Sequence, residues 1–195
     1  NFLASFPIEK QCEYFIKAIE QRYCNLVGCM LLSQNTEDRR VLLSTKNSSG
    51  QNGLLIASDN LSFEIVEILI YFGCSMLSVD SFGYNYLSTC LLHFEKHPVK
   101  VNSLVKLADK SDFKLWNVLS GPKHRAPLHY IAENATTVIS EACGLSEYLI
   151  DKGASPDLID VDGITPLDIA IDYNLNRLVE KLIHLGAGST LHVKR

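Results

Sequence analysis

The apolar positions near the end of the chain fall into two stripes separated by a short polar turn. Leu178, Val179, Leu182 and Ile183 recur at three- and four-residue spacing, which is the apolar face of an amphipathic helix. Upstream, Pro166 precedes Leu167, Ile169 and Ala170; proline suits the first turn of a helix, where an amide donor would have no partner. Gly186 permits the left-handed backbone that closes the second helix. The stretch "DVDGITPLDIAIDYNLNRLVEKLIHLGAGS", 160–189, therefore predicts a turn followed by two helices.

That pattern occurs again earlier in the chain. Laid without a gap on 47–74, "NSSGQNGLLIASDNLSFEIVEILIYFGC", it brings Gly163 onto Gly50 and Ala170 onto Ala57. The Leu182–Ile183 pair falls on Leu69–Ile70, and Gly186 on Gly73. A third copy starts at "DSFGYNYLSTCLLH", where Gly83 stands 33 residues after Gly50 and Leu87 and Cys90 take the places of Leu167 and Ala170. A fourth, "KHRAPLHYIAEN" followed by "LSEYLIDKGAS", keeps Pro127, Leu128 and the Gly153–Ala154 pair, with His124 at the turn-glycine position. Repetition at this period predicts a stack of supersecondary units rather than a single hairpin.

The spacing is uneven. From Gly83 to His124 is 41 residues and from His124 to Gly163 is 39, insertions of eight and six against a period of 33. The first falls within 93–122, and the second within "ENATTVISEACG" between the two helices of the fourth copy; both are expected at the surface. The resulting division is 1–46 as a degenerate first copy or N-terminal cap, 47–79, 80–120 with an insertion, 121–159 with an insertion, and 160–195. In the first segment Ala18 takes the small position and Leu31–Leu32 the second-helix pair.

"TPLDIA" (165–170), "APLHYIA" (126–132), "DKGASP" and "HLGAGS" resemble the ankyrin-repeat family, whose unit of about 33 residues is a turn plus two antiparallel helices. The resemblance implies an all-α solenoid of about five stacked repeats. It also implies that His129 ties the loop of one repeat to the next, with Ala126 replacing the usual threonine in the fourth copy and Asp168 replacing the histidine in the last, which leaves both networks incomplete.

With 195 residues, 47% of them apolar, the chain has material for one substantial core. A formal charge of −4 argues against a nucleic-acid binder, no apolar run is long enough to span a bilayer, and the start lacks the form of a signal peptide. The first residue is Asn rather than Met, so the chain reads as a piece of a longer protein. The six cysteines lack metal-ligand spacing and most of them take small apolar positions, which predicts reduced, buried thiols in a cytoplasmic or nuclear protein. Trp116 reads as buried beneath the first insertion, with an exposed binding anchor the alternative, and the Asn47, Asn60 and Asn134 sequons as turns and helix ends.

No nucleophile elbow, phosphate loop or dinucleotide fingerprint is present, so the chain carries no sequence support for catalysis, a cofactor or a metal. Charge is unevenly placed: 96–125 carries a net +5 and 126–172 a net −8. These features, with the resemblance, imply a non-enzymatic protein-interaction module, an adaptor, scaffold or regulator that is monomeric in isolation and receives a basic segment of a partner on its acidic C-terminal repeats. The alternatives are a substrate-recruiting domain of a larger enzyme or effector and an IκB-like inhibitor of a transcription factor. The family binds through turn tips and the exposed ends of first helices. Here those positions single out Phe82, Tyr84, His93, Lys123, Arg125, Glu133, Val161, Asp162, Ile164, Asp172 and Tyr173 as candidate contacts.

Overall fold

A computed structural model describes residues 6–110 and 115–188. Within them the chain is all-helical, with α1 (Ile8–Glu20), α2 (Cys24–Ser33), α3 (Thr36–Ser44), α4 (Gly53–Asp59), α5 (Phe63–Tyr71), α6 (Tyr86–Leu91), α7 (Pro98–Leu107), α8 (Pro127–Glu133), α9 (Ile139–Asp151), α10 (Pro166–Asp172) and α11 (Asn176–His184). Five helix pairs lie side by side. The first helices α1, α4, α6, α8 and α10 each pack on the next in one layer, and the second helices α2, α5, α7, α9 and α11 do the same in another. A single cluster runs through all five pairs, from Phe15 and Ile19 through Leu54, Leu69, Leu87, Leu104, Ile131 and Leu149 to Leu178 and Leu182.

Short-range backbone geometry repeats with the sequence. Between the paired helices, the amide of Tyr23 bonds Ala18 O at 2.8 Å, Ser62 bonds Ala57 O at 2.9 Å and Leu175 bonds Ala170 O at 2.9 Å. Each bond turns back onto the small alanine through a residue of positive φ, respectively Arg22, Leu61 and Asn174. After the second helices, Cys74, Ala154 and Ala187 bond Leu69 O, Leu149 O and Leu182 O across Gly73, Gly153 and Gly186, whose positive φ closes each helix end. Ala18 thus sits in the first pair as Ala57 does in the second.

The first pair departs where glycine is missing. After α2 the chain continues into α3, and Arg39 caps the open carbonyls, its Nε donating to Leu31 O at 2.8 Å and its Nη2 to Gln34 O at 3.0 Å. The same guanidinium lies 5.1 Å above the Phe72 ring, joining this cap to the end of α5.

The insertions resolve into helix and turn. Between α8 and α9 the connection is five residues long, where α4–α5 and α10–α11 use three, and α9 has 13 residues, where α5 and α11 have nine. Two extra turn residues and one extra helical turn thus absorb the insertion of six. The earlier insertion lengthens the α6–α7 connection to 92–97 and adds two single 3-10 turns after α7, at Ala108–Lys110 and Leu115–Asn117. Trp116 is buried there, edge-on to Tyr148 with 6.3 Å between ring centroids. The Tyr148 hydroxyl donates to Asp109, which also pairs with Lys152 at 2.7 Å.

Asn47 heads a turn, and Asn60 and Asn134 end α4 and α8. The expectation of six buried thiols requires correction. Cys74, Cys90 and Cys143 are buried, Cys12 and Cys24 are partly covered and Cys29 is exposed, because the last three lie on α1 and the outer layer of the first pair. All six are free thiols. Among the described residues, no helix is long and apolar enough to cross a membrane.

Candidate protein-binding surface

Four turns precede α4, α6, α8 and α10, and in three of them a single side-chain oxygen organises the backbone. Asn47 Oδ1 accepts from the amides of Ser49 and Gln51, Asp80 Oδ1 from those of Phe82 and Tyr84, and Asp160 Oδ1 from those of Asp162 and Ile164, all between 2.9 and 3.0 Å. Asx residues favour turns for this reason. Each turn then needs a residue of positive φ, supplied by Gly50, Gly83 and Gly163. In the remaining turn Gly121 replaces the Asx residue and His124 adopts φ 47° at the glycine position, so the histidine there serves the backbone.

Neighbouring turns are tied together. Ser81 N–H donates to Ser49 O at 3.0 Å, Gly121 N–H to Gly83 O at 2.7 Å and Val161 N–H to Lys123 O at 3.1 Å. His129 adds a link one layer deeper. It is fully buried; Nδ1 accepts from Ala126 N–H at 3.2 Å and Nε2 donates to Ile164 O at 3.0 Å. Burial holds the imidazole below its usual range, against the backbone bond to Ile164 that favours the charged form, so it is the neutral tautomer that both bonds require. In the last pair the local network is closed without histidine. Thr165 N–H and Oγ1–H both donate to Asp168 Oδ2, and Asp168 N–H donates to Thr165 Oγ1.

This scaffold separates the candidate contacts. Phe82 is 68% exposed and Val161 58%, both at turn tips, and Lys123 and Asp162 are exposed beside them. Asp172 and Tyr173 are exposed at the end of α10. The first four stand in the turns, and the last two at the opposite end of α10 from its turn. The other five are engaged within the fold. Arg125 is buried and pairs through Nη1 with Glu133 at 2.6 Å and through Nε with Asp160 at 3.0 Å. Glu133 is accordingly turned inward. Tyr84 is half-buried, edge-on to Tyr130 at 6.2 Å and against Gly121. His93 Nε2 meets Asp59 Oδ1 at 2.8 Å, joining the ends of α6 and α4, and Ile164 gives its carbonyl to His129. Arg125, a candidate contact by its tip position, is instead buried because Asp160, the next turn's organiser, supplies a counter-charge.

Internal pairing also reduces the charge contrast along the stack. Arg125 joins the basic segment to Glu133 and Asp160 of the acidic one, Lys110 pairs with Glu67 at 2.6 Å and Lys181 with Glu147 at 2.8 Å. The exposed remainder includes Asp162 and Asp172 at the C-terminal end. Sequence reasoning did not single out Ile171, 53% exposed on α10. The signal for Ile171 was present in "DIAID", where apolar residues occupy both faces of a seven-residue helix.

The buried thiols are poorly suited to nucleophilic chemistry: burial pushes Cys74 up to about 11 and Cys90 up to about 12, so both are thiols at neutral pH. Both ring nitrogens of His129 are occupied. Among the described residues no group of three or more His, Cys, Asp or Glu side chains is placed to hold a metal ion.

No family model matches the chain. A relative from fowlpox virus (strain NVSL), named as an ankyrin repeat protein, is 29% identical over 139 residues, covering 70% of this chain and 17% of its own length. The chain thus spans less than a fifth of that relative.

Proposed function

We propose that the chain is an ankyrin-repeat module of about five repeats, with 1–46 as a divergent first repeat, that binds a partner protein along its turn tips and the exposed end of α10. The observation that carries this reading is the row of turns, held in register by backbone bonds between neighbours and presenting Phe82, Lys123, Val161 and Asp162 to solvent. A rigid, exposed row with apolar side chains among polar ones is pre-organised for a macromolecular partner, because little side-chain or loop ordering remains to oppose binding. The fowlpox relative's name supports the same family. On this reading the module is a non-enzymatic adaptor, scaffold or regulator. It works without a cofactor, as a monomer, in the cytoplasm or nucleus.

Asp162 and Asp172 favour a partner segment carrying lysine or arginine. The relative is much longer than this chain, and on that ground recruitment of substrates for a larger protein is the second reading. The test is affinity capture from the native cell with the wild type and a Phe82→Ser/Tyr173→Ser variant. The proposal expects a protein retained in near-stoichiometric amount by the wild type and lost by the variant. Identical retention by both would reject it.

A further inference from the structure

The connections between paired helices lie at the opposite end of the first helices from the turns, and at that end the first three pairs surround a groove of about 520 Å³. Its walls are the starts of α2, α5 and α7, second helices that pack side by side. Leu61, Phe63 and Val99 give it an apolar lining, Val99 being 73% exposed. Arg22 and Lys100 are its cations and Glu64 its single carboxylate, all three exposed. Ser62, buried in the wall with its hydroxyl unpaired, leaves the start of α5 without a side-chain cap.

The fold does not balance the charges at this groove. A helix start favours an anion and disfavours a cation. Yet α2 and α7 carry no acidic residue in their first turns; Arg22 stands two residues before α2, and Lys100 is the third residue of α7. Among the described residues neither cation forms an ion pair. Elsewhere in the basic segment 96–125, Lys106 lies 5.4 Å over the Tyr148 ring, Lys110 pairs with Glu67 and Arg125 with Asp160. Backbone strain marks the same place. Arg22 and Leu61 hold φ 60° and 51°, where their equivalent in the last pair is Asn174, a residue type that tolerates the left-handed region. Keeping two long side chains in that conformation costs stability, and both line the groove.

We propose that the groove receives an acidic segment of a partner protein, with an apolar side chain against Leu61, Phe63 and Val99 and aspartate or glutamate carboxylates against Arg22 and Lys100. Three helix starts add positive potential to the two cations and only Glu64 opposes them, so an anionic occupant is the complementary one. The apolar lining favours a peptide over a bare polyanion, which would leave Leu61, Phe63 and Val99 in water. This inference rests on the protein-binding reading above and gives the module a second surface, of opposite charge preference to Asp162 and Asp172.

The test titrates the full chain with a short labelled peptide in which leucines are flanked by aspartates, read by fluorescence anisotropy. A control peptide carries lysines in place of the aspartates. At least tenfold tighter binding of the aspartate peptide is expected. Arg22→Gly removes strain and Lys100→Glu places an acid in the first turn of α7. The double variant should therefore hold or raise the melting temperature while weakening binding of the aspartate peptide at least tenfold. The Phe82→Ser/Tyr173→Ser variant should bind that peptide as the wild type does. Equal binding of the two peptides, or wild-type binding by the Arg22→Gly/Lys100→Glu variant, would overturn the proposal. So would tighter binding of a single-stranded DNA than of the aspartate peptide, which would make the ligand a nucleic acid. A dimer in sedimentation that the double variant dissolves would also overturn it, by making a second copy the occupant. If capture through the turns survives while the aspartate peptide fails to bind, this inference falls and the proposed function stands.

Discussion

Arg125 and Asp160, 35 positions apart, form an ion pair at 3.0 Å with the Asp160 side chain fully buried. The same carboxylate organises its turn through Oδ1 and receives the guanidinium through Oδ2, so one residue shapes a tip and fastens it to the preceding pair. Removing the cation leaves a buried charge uncompensated. Arg125→Ala is expected to cost about 3–5 kcal/mol, measured by urea unfolding. Burial alone would raise the Asp160 carboxyl, but the Ile164 amide, Arg125 and the Asp162 amide together hold it below its ordinary value. Its contribution is therefore complete above about pH 4 and is lost as pH falls below that. Asp160→Asn, which keeps the turn acceptor, should flatten this acid limb.

His129 carries the opposite protonation requirement. It must be neutral to accept from Ala126 N–H while donating to Ile164 O, and burial lowers its pKa. The unfolded chain binds more protons below about pH 6.5, so stability should decline as pH drops from there toward 5. His129→Ala leaves two buried backbone groups without partners and is expected to cost about 2–5 kcal/mol, and the variant should lose the pH dependence in that window. Thermal unfolding between pH 5 and 8 measures both.

Gly121 has φ 72°, and a Cβ there would meet the Tyr130 hydroxyl and approach Tyr84 Cε1 to 2.7 Å. Gly121→Ala should lower stability by about 1–3 kcal/mol from the backbone alone, and by more from the clash. Tyr84→Ala should likewise cost stability, because its ring packs on Tyr130. Phe82→Ala, 68% exposed on the adjacent tip, should leave unfolding unchanged within about 0.5 kcal/mol.

Association with a partner segment rich in lysine or arginine should slow as salt rises, because Asp162 and Asp172 remain exposed while much of the other charge is paired internally. Stopped-flow rates at about 20 and 300 mM salt, on either side of the regime where the Debye length falls below 10 Å, provide the check. A rate independent of salt would remove steering from the account.

The helical stack was legible because its markers act over short range. Gly50, Gly83 and Gly163 satisfy a positive φ within their own turns, and Pro127 and Pro166 start helices by themselves. The starts of α4 and α6 carried a readable signal that the proline-based motif hid: Asn52 and Asn85 cap them, accepting from Leu55 and Ser88 at 3.0 Å. The misplaced site residues are those whose fate depends on another repeat. Arg125 looks like a surface cation until Asp160 arrives 35 residues later, and Tyr84 looks like a tip until Tyr130 closes over it. Arg39 as the substitute cap of α2 depends in the same way on how α3 folds back.

The central claim, that the turn tips and the end of α10 form the surface that receives a partner, is tested most directly by hydrogen–deuterium exchange of the chain with and without its captured partner. The account predicts slowed exchange at 80–85, 121–125 and 160–165 and around Tyr173, with α5 and the middle of α9 unchanged. Protection confined to those second helices, or none at the turns, would contradict it.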